Sequence, residues 1–516
     1  MKKTIILCSP TSEDMRVGLD EKGGMFFPPL GILLVAQSLK NEGYTVKFYD
    51  GNFESTYKVK LLSYVNKHAD DILFIGFYLT LLQVRDMIEI VKTVRGINNE
   101  IKVVVGGPFP SVLPKVTMDS GIVDIACIGD GAKVVVSIAD CGLDRESLRE
   151  IPNISFKYNN DIVTNQRTVR DELNETTRID YSAFINMEGY VNKFRVYLKE
   201  NDTAIKRAVP ILTGLGCSYK CSFCENALLN HKHVSLSAEN IIGQIKFYHE
   251  NYNIDSFSFF DEDFLFDMKR TLSLMALIKE NGLKIKWGSQ CRVNYFRESY
   301  VNTDFLRLLE ESGCVRFTMG VETGSPAMLK KLRKGIKPEQ VIRAAEYGKD
   351  SSIVFSYSLI VNLPEETYAD VYKTVELMDK VFSIKKNSFV SAVHQYFSYP
   401  KTPLSIEMEQ KLGVDPLKNI TFEQFAKFDL NDYNKKVNPV KIDYRKECLI
   451  FYRLLNKVPQ LFQFNIRIVA RFLLRSCVGK IRQVMNCYSF PIEIYVIHWL
   501  RVNRRHLDDV RNLEDR

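Results

Sequence analysis

The feature that most constrains this chain is an alternation, met twice, of short apolar runs with helix-like stretches. In residues 1–140 the runs are TIILCSP (4–10), TVKFYDG (45–51), ILFIGFY (72–78), KVVVGG (102–107) and VDIACIG (123–129). Runs so rich in Val, Ile and Phe, with little polar interruption, suit parallel strands covered on both faces. Between the first two lies PPLGILLVAQSLKNEGY, a predicted helix that Gly43 stops. Another helix is predicted near 81–96. The pattern predicts a doubly wound parallel sheet of about five strands, with ligands at the strand carboxyl ends. Those ends carry Ser9, Asp50, Gly76, Tyr78, Gly106, Gly107, Gly129 and Gly131.

Residues 206–400 alternate again, through AVPILTGLG, SFSFFDEDF, KIKWGSQCRV, VRFTMGVET, FSYSLIVNLP and FVSAVHQYFS. Helical stretches intervene, such as SAENIIGQIKFYHENY, with Ser237 as its predicted cap. This predicts a partial (β/α)6 barrel, whose chemistry would sit at the strand C-termini. Between the two series, IPNISFKYNNDIVTN reads as a hairpin turning at Asn159-Asn160. The expected division is a sheet domain (1–145), a linker with a small hairpin (146–205), a barrel (206–405) and a basic helical C-terminal region (406–516).

With 46% hydrophobic and 26% charged residues, 27 Gly and 17 Pro, the chain is not of disordered or fibrous type. No apolar run reaches the length of a membrane span, and MKKTIILCSPTSEDM has too short an apolar stretch for a signal peptide. A cytoplasmic location is the expectation. The net charge of +8 lies wholly in residues 441–516, which hold 15 basic and 7 acidic residues; the first 440 hold 55 of each. Arg467, Arg471 and Arg475 recur at helical spacing, with Arg482 beyond and Ile466, Val469, Phe472, Leu473 and Val484 interleaved. Such a basic amphipathic pattern fits a solvated helix face, a peripheral membrane contact or an acidic ligand. No nucleic-acid motif accompanies it.

Eleven cysteines without a secretion signal make disulfides the poorer reading. Three lie together in GCSYKCSFCEN, as Cys217, Cys221 and Cys224. Zinc wants a fourth ligand, for which His231 and His233 are downstream candidates. Reduced buried thiols are the plainest alternative. A four-iron cluster with three protein thiolates leaves one iron open for a small chelating molecule. The cluster of cysteines follows the first strand of the second series directly, so it falls on the same face as Asp261, Glu262, Asp263, Arg292, Glu322 and Asn362.

C-x-x-x-C-x-x-C at this place, with Phe223 before the third Cys, resembles the radical SAM (S-adenosylmethionine) enzymes. With the N-terminal sheet, the chain resembles their cobalamin-binding branch, which includes many methyltransferases and the anaerobic bacteriochlorophyll cyclase. PPLGILLVAQSLKNEGY, VVVGGPFPSVLP, FFDEDF, GVETGS, LIVNLPEET and YPKTPL carry the likeness over roughly residues 1–405. The resemblance implies that Cys217, Cys221 and Cys224 ligate a 4Fe-4S cluster whose open iron binds SAM. It implies SAM contacts from Phe223, Asp261, Arg292, Glu322, Ile360 and Asn362, with the backbone of 360–363 along the adenine. Arg292 would pair with the SAM carboxylate, or else Arg292 and Glu322 would pair with each other. Ser9, Asp50, Gly76, Tyr78, Gly106, Gly107, Gly129 and Gly131 would hold cobalamin. Two departures stand out. NLPEET places Asn362 and Glu365 where relatives have glycines, predicting a less permissive backbone. Asp50-Gly51-Asn52 places Asn where an axial His would be, so cobalamin would lack a protein imidazole.

The implied activity is methylation of an unactivated carbon, with one SAM methylating cobalamin and a second generating a 5′-deoxyadenosyl radical. The alternatives are a non-methylating radical cyclase or rearrangement enzyme, and a metal-bearing binding protein. A small-molecule or lipid-like substrate and an electron donor such as flavodoxin or ferredoxin are expected. His394 and Tyr396 would face substrate or pack the barrel.

Overall fold

The computed structural model describes residues 3–11, 27–80, 83–159, 161–168, 178–192, 207–229 and 233–418, and positions 420–421, 424, 427, 436–437 and 446. The basic segment around Arg467–Arg482 and His231 lie outside the described residues.

The first sheet has seven strands: β1 (Thr4–Ser9), β2 (Thr45–Asp50), β3 (Ile72–Tyr78), β4 (Lys102–Gly106), β5 (Ile125–Cys127), β6 (Ile154–Tyr158) and β7 (Asp161–Thr164). Their order is β2-β1-β3-β4-β5-β6-β7. The pairs from β2 to β5 are parallel, and the β6–β7 hairpin adds two antiparallel strands at the β5 edge. Asn159 takes a left-handed φ of 47° in that hairpin's turn.

The apolar runs are explained by burial on both sides. Ile5 and Leu7 of β1 pack with Ile32, Leu39 and Ile138, from the helices Leu30–Asn41 and Gly131–Asp140. Ile6 and Cys8 point to the other face, onto Leu61, Val65, Met87 and Val91 of the helices Tyr57–His68 and Val84–Ile97. Alternation within the strand therefore fills two cores rather than one core and one wet face. Each such side chain contributes roughly 1.5–3 kcal/mol by burial. The chain winds from β1 outward to β2 and then crosses back to β3. The strand order thus reverses between β1 and β3, the crevice where open sheets of this kind take ligands.

The second series forms a six-stranded sheet from β8 (Ala208–Ile211), β11 (Ser256–Phe259), β12 (Lys286–Cys291), β13 (Cys314–Glu322), β14 (Val354–Val361) and β15 (Ser388–Gln395), ordered along the chain. The short β9 (Gly214–Leu215) and β10 (Val234–Ser235) pair antiparallel beside it. Helices lie between the strands. Ser237 caps the helix Ala238–Tyr252 by accepting from Asn240 N–H at 3.1 Å, and Thr367 and Asp370 form a reciprocal cap on Tyr368–Ile384. Trp287, fully buried, stacks on Phe259 (4.9 Å) and donates its indole N–H to the Ser312 carbonyl at 3.1 Å.

The chain divides into two compact units, one of Met1–Arg292, Asp304–Phe317 and Ser398–Asn438, the other of Val293–Thr303, Thr318–Phe397 and Pro439–Arg516. Among the described residues no helix is long and apolar enough to cross a membrane.

Candidate cofactor site at the strand ends

The position of the cysteine loop is set by the residues just after β8. Asp261, 1% exposed, accepts from Thr213 N–H (3.0 Å) and Thr213 Oγ1 (2.7 Å). Its other oxygen lies 3.5 Å from Arg270 Nη2, and Arg270 also donates to the carbonyls of Thr213 (3.0 Å) and Phe264 (2.7 Å). A Cβ on Gly214 would come within 2.8 Å of the Asp261 carboxylate, so only glycine lets β9 pass. Asp261, expected among the SAM contacts, thus has both oxygens engaged in fixing the entry to the loop. Gly216 then turns the chain at φ 81°, and Cys217 comes next.

Cys221 is buried, and Cys217 and Cys224 are half-buried; all three are free thiols. Cys224 N–H donates to the Cys221 carbonyl (3.2 Å) and Ala227 N–H to that of Cys224 (3.1 Å), which starts the short helix Asn226–Leu229. Burial raises the Cys217 thiol and pushes Cys224 up to about 11; the neighbouring cysteines add to the rise, and the amides of Tyr219 and Asn226 oppose it. Thiols in mutual electrostatic reach resist ionising together unless a cation joins them. Among the described residues no three His, Cys, Asp or Glu converge as one metal ion requires. Three thiols on one short loop match the three protein ligands of a four-iron cluster, which takes each thiolate on a different iron.

Arg292 follows β12 directly and faces this loop. Its guanidinium carbon is 3.5 Å from the Tyr219 ring centre and Nη1 is 3.9 Å from Cys221 Sγ. His233, the candidate zinc ligand, has its Nε2 buried without a hydrogen-bond partner and its ring 4.5 Å from Phe266.

The carboxyl ends of the first sheet show what else could be held. Gly107 has φ 102°, and a Cβ there would sit 2.8 Å from the Leu79 carbonyl and 3.0 Å from the Tyr78 ring. Gly129, with φ 80°, donates its N–H to Ser111 Oγ at 2.8 Å. Gly51 lies so close to the end of β1 that a Cβ would come 2.9 Å from the Ser9 carbonyl and 2.7 Å from Thr11 N just beyond it. Asp50 is buried, accepts from the Tyr190 hydroxyl and from Asn52 N–H, and is raised by that burial to about 6. Asn52 Nδ2 donates to the buried Ser9 hydroxyl at 3.3 Å, while Asn52 Oδ1 is buried with no partner. A glycine-lined edge with an orphaned acceptor on Asn52, and an amide there rather than an imidazole, fits cobalamin held without a protein imidazole. Gly76 differs from the rest: it is buried in β3, where a Cβ would meet Leu7 at 2.7 Å, so its smallness serves strand packing. Gly131 opens its helix against Val35.

Residues from the two cofactor regions meet within the first unit. Glu225, next to Cys224, accepts from the Tyr399 hydroxyl, and burial raises its carboxyl. The Tyr78 phenol at the end of β3 is pushed to about 12, first by burial and then by the charge of Glu225. Leu404 N–H donates to the Ser222 carbonyl (2.9 Å), and the helix Asn226–Leu229 packs against Pro108–Val112 after Gly107. Neither Glu225 nor Tyr399 stood out in the sequence. The acidic residue beside the cysteine motif and the tyrosine in YPKTPL were the only signals.

In the second unit, Glu322 at the end of β13 pairs with Lys334 at 2.7 Å, both buried. Its partner is therefore a lysine twelve positions on, and Arg292 has Tyr219 and Cys221. Ile360 is half-buried near the end of β14. Asn362 and Glu365 do not relax the backbone: both keep left-handed φ, 61° and 66°, in spite of their side chains. Asn362 N–H donates to Glu366 Oε2 at 2.8 Å, and Glu365 pairs with Lys331 at 2.6 Å. Tyr396 is buried and His394 exposed.

Comparison with known proteins identifies two domains in the chain. A family model described as Radical SAM superfamily matches residues 211–378, and one described as B12 binding domain matches 18–139. An uncharacterized methyltransferase of Pyrococcus horikoshii is 26% identical over 439 residues, covering 82% of this chain and 90% of that protein. The radical SAM methyltransferase TsrM of Kitasatospora setae, with cobalamin and a [4Fe-4S] cluster bound, has the same fold at 16% identity. Its TM-score is 0.65 over 82% of this chain and 84% of that one. So does the cobalamin-dependent radical enzyme OxsB, at 15% identity and a TM-score of 0.65, over 99% of this chain and 80% of that one. Both matched domains occur in the order in which the sheet and the cysteine loop occur here, and the chain belongs to the cobalamin-binding radical SAM enzymes.

Proposed function

We propose that this enzyme methylates an unactivated carbon of a small molecule, with the cluster on Cys217, Cys221 and Cys224. The carrying observation is that the end of β3 and the cysteine loop approach each other in one unit, through Tyr78, Glu225 and Tyr399. A methyl donor on the sheet and a radical source on the loop must be near one another for such a transfer. When bound, the cluster and SAM supply a carbon radical, and cobalamin supplies the methyl group.

The chain's own residues bind and orient. Ser9, Asp50, Tyr78, Gly106, Gly107, Gly129 and Gly131 are assigned to cobalamin, within residues 1–145; Gly76 supports them from inside β3. Phe223, Arg292, Glu322, Ile360 and Asn362 are assigned to SAM, within 206–405, with Asp261 holding the loop that carries Phe223. Arg292 sets a fixed positive charge beside Cys221, and its stacking on Tyr219 holds it there. The methyltransferase name of the Pyrococcus relative supports the methyl transfer. A flavodoxin or ferredoxin would suit the one-electron demand. The described cysteines, all free thiols, suit the reducing cytoplasm.

Anaerobic reconstitution with iron, sulfide, cobalamin and SAM tests the proposal. Under reduction with candidate substrates, 5′-deoxyadenosine and S-adenosylhomocysteine should both form. 5′-Deoxyadenosine alone would mean radical chemistry without methyl transfer, and no SAM cleavage under any condition would overturn the reading. Cys221→Ala should lose both products and most of the bound iron.

A further inference from the structure

Lys446 lies 80 residues beyond the turn that follows β14, yet its ammonium is buried in that turn. Nζ donates to the Glu366 carbonyl at 2.5 Å and lies 3.4 Å from Glu366 Oε2. The two side chains are 6% and 1% exposed. The same Oε2 accepts the N–H of Asn362, and Glu366 N–H donates to the Leu363 carbonyl at 3.0 Å. Among the described residues, the charges that bear on Glu366 are Lys446 and Asp370. Asp370 itself is held by Ser325 and Thr367.

Burying a lysine is costly unless its charge is paired and its protons are used. Here the charge is spent on a turn that carries two non-glycine residues at left-handed φ, Asn362 and Glu365. Such a backbone persists only where its surroundings over-determine it. Asn362 is held through its N–H by Glu366, Glu366 is held at two points by Lys446, and Glu365 is held by Lys331. Without Lys446, the Glu366 carboxylate would be buried with an amide as its main partner.

We propose that Lys446 is a positioning residue for SAM: it staples Glu366 so that the Asn362–Glu366 turn keeps the shape the cofactor needs. This rests on the reading of that turn as part of the SAM site. It goes beyond that reading by making a residue from the C-terminal region, outside both family-matched segments, part of cofactor binding.

The test uses the full-length, cluster-reconstituted protein and four forms: wild type, Lys446→Met, Lys446→Arg and the double variant Lys446→Met/Glu366→Gln. Amide hydrogen exchange of residues 361–367 is measured without SAM, and SAM affinity by equilibrium dialysis. Cobalamin uptake serves as the folding control. Lys446→Met should speed exchange in the turn and weaken SAM binding by about tenfold or more, a change of about 1.4 kcal/mol. Lys446→Arg should retain most of the affinity. The double variant, with no uncompensated charge left, should recover part of the affinity, and it keeps the test open should the single variant fold poorly. Unchanged exchange in Lys446→Met would overturn the staple. Faster exchange with unchanged SAM affinity would overturn the role toward SAM, and with it the placing of the turn in the SAM site.

Discussion

Arg292 offers the most quantitative handle on the cluster. Replacing it with Met removes a positive charge 3.9 Å from Cys221 Sγ while keeping an apolar chain against Tyr219. Two unit charges at that distance interact by about 4 kcal/mol at an effective dielectric constant of ~20. The negative charge of a reduced cluster is spread over several sulfurs, so a quarter to a half of this, roughly 1–2 kcal/mol, is the expected effect. For a one-electron couple 59 mV corresponds to about 1.4 kcal/mol, so the reduction potential should fall by about 45–90 mV. The sign follows because the reduced cluster is the more negative state and loses its compensating charge. An anaerobic redox titration followed by electron paramagnetic resonance, without SAM, reads this directly and leaves the SAM carboxylate out of the comparison. Arg292→Lys should recover part of the shift, limited by the poorer fit of an ammonium over the ring. A potential for Arg292→Met within roughly 20 mV of wild type, or above it, would refute the reasoning.

Asp261→Ala should be among the most destabilising single changes in the first unit, because it leaves the Arg270 guanidinium buried and unpaired. The expected loss is about 3–5 kcal/mol in urea unfolding of the apo protein, and a loss under about 1 kcal/mol would contradict the pairing. Asp50, raised by burial from 3.8 to about 6, binds its proton more tightly folded than unfolded. Stability should therefore fall as pH rises from about 4 to 6, by roughly 3 kcal/mol at most, and stay lower above. Asp50→Asn should flatten that fall and be more stable than wild type at pH 7; parallel stability curves for the two proteins would rule this out.

Much of the fold could be read locally. The runs that became β1, β3 and β4 showed no alternation because both of their faces are covered, and that is a property of composition along a few residues. Gly43, at φ 80°, and Ser237 mark helix ends by chemistry confined to one turn. The hairpin at Asn159 was equally local, but its membership in the first sheet was not. That depends on β6 finding the free edge of β5, which nothing within residues 151–165 encodes. The site shows the same divide. FFDEDF offers three carboxylates, and only the fold selects Asp261 for Thr213 and Arg270. From sequence alone, Asn362 and Glu365 read as a less permissive backbone, whereas Glu366, Lys446 and Lys331 hold both residues at left-handed φ.

By itself the sequence determined the succession of strands and helices and the three thiols of the cofactor loop, because periodicity and motif spacing act over a few residues. The tertiary structure alone decided which charges meet. Arg292 with Cys221, Glu225 with Tyr399 and Lys446 with Glu366 join positions 71, 174 and 80 residues apart. Each of these pairings exists only because packed strands and helices bring distant segments together in a low-dielectric interior, where an unmatched charge would be costly.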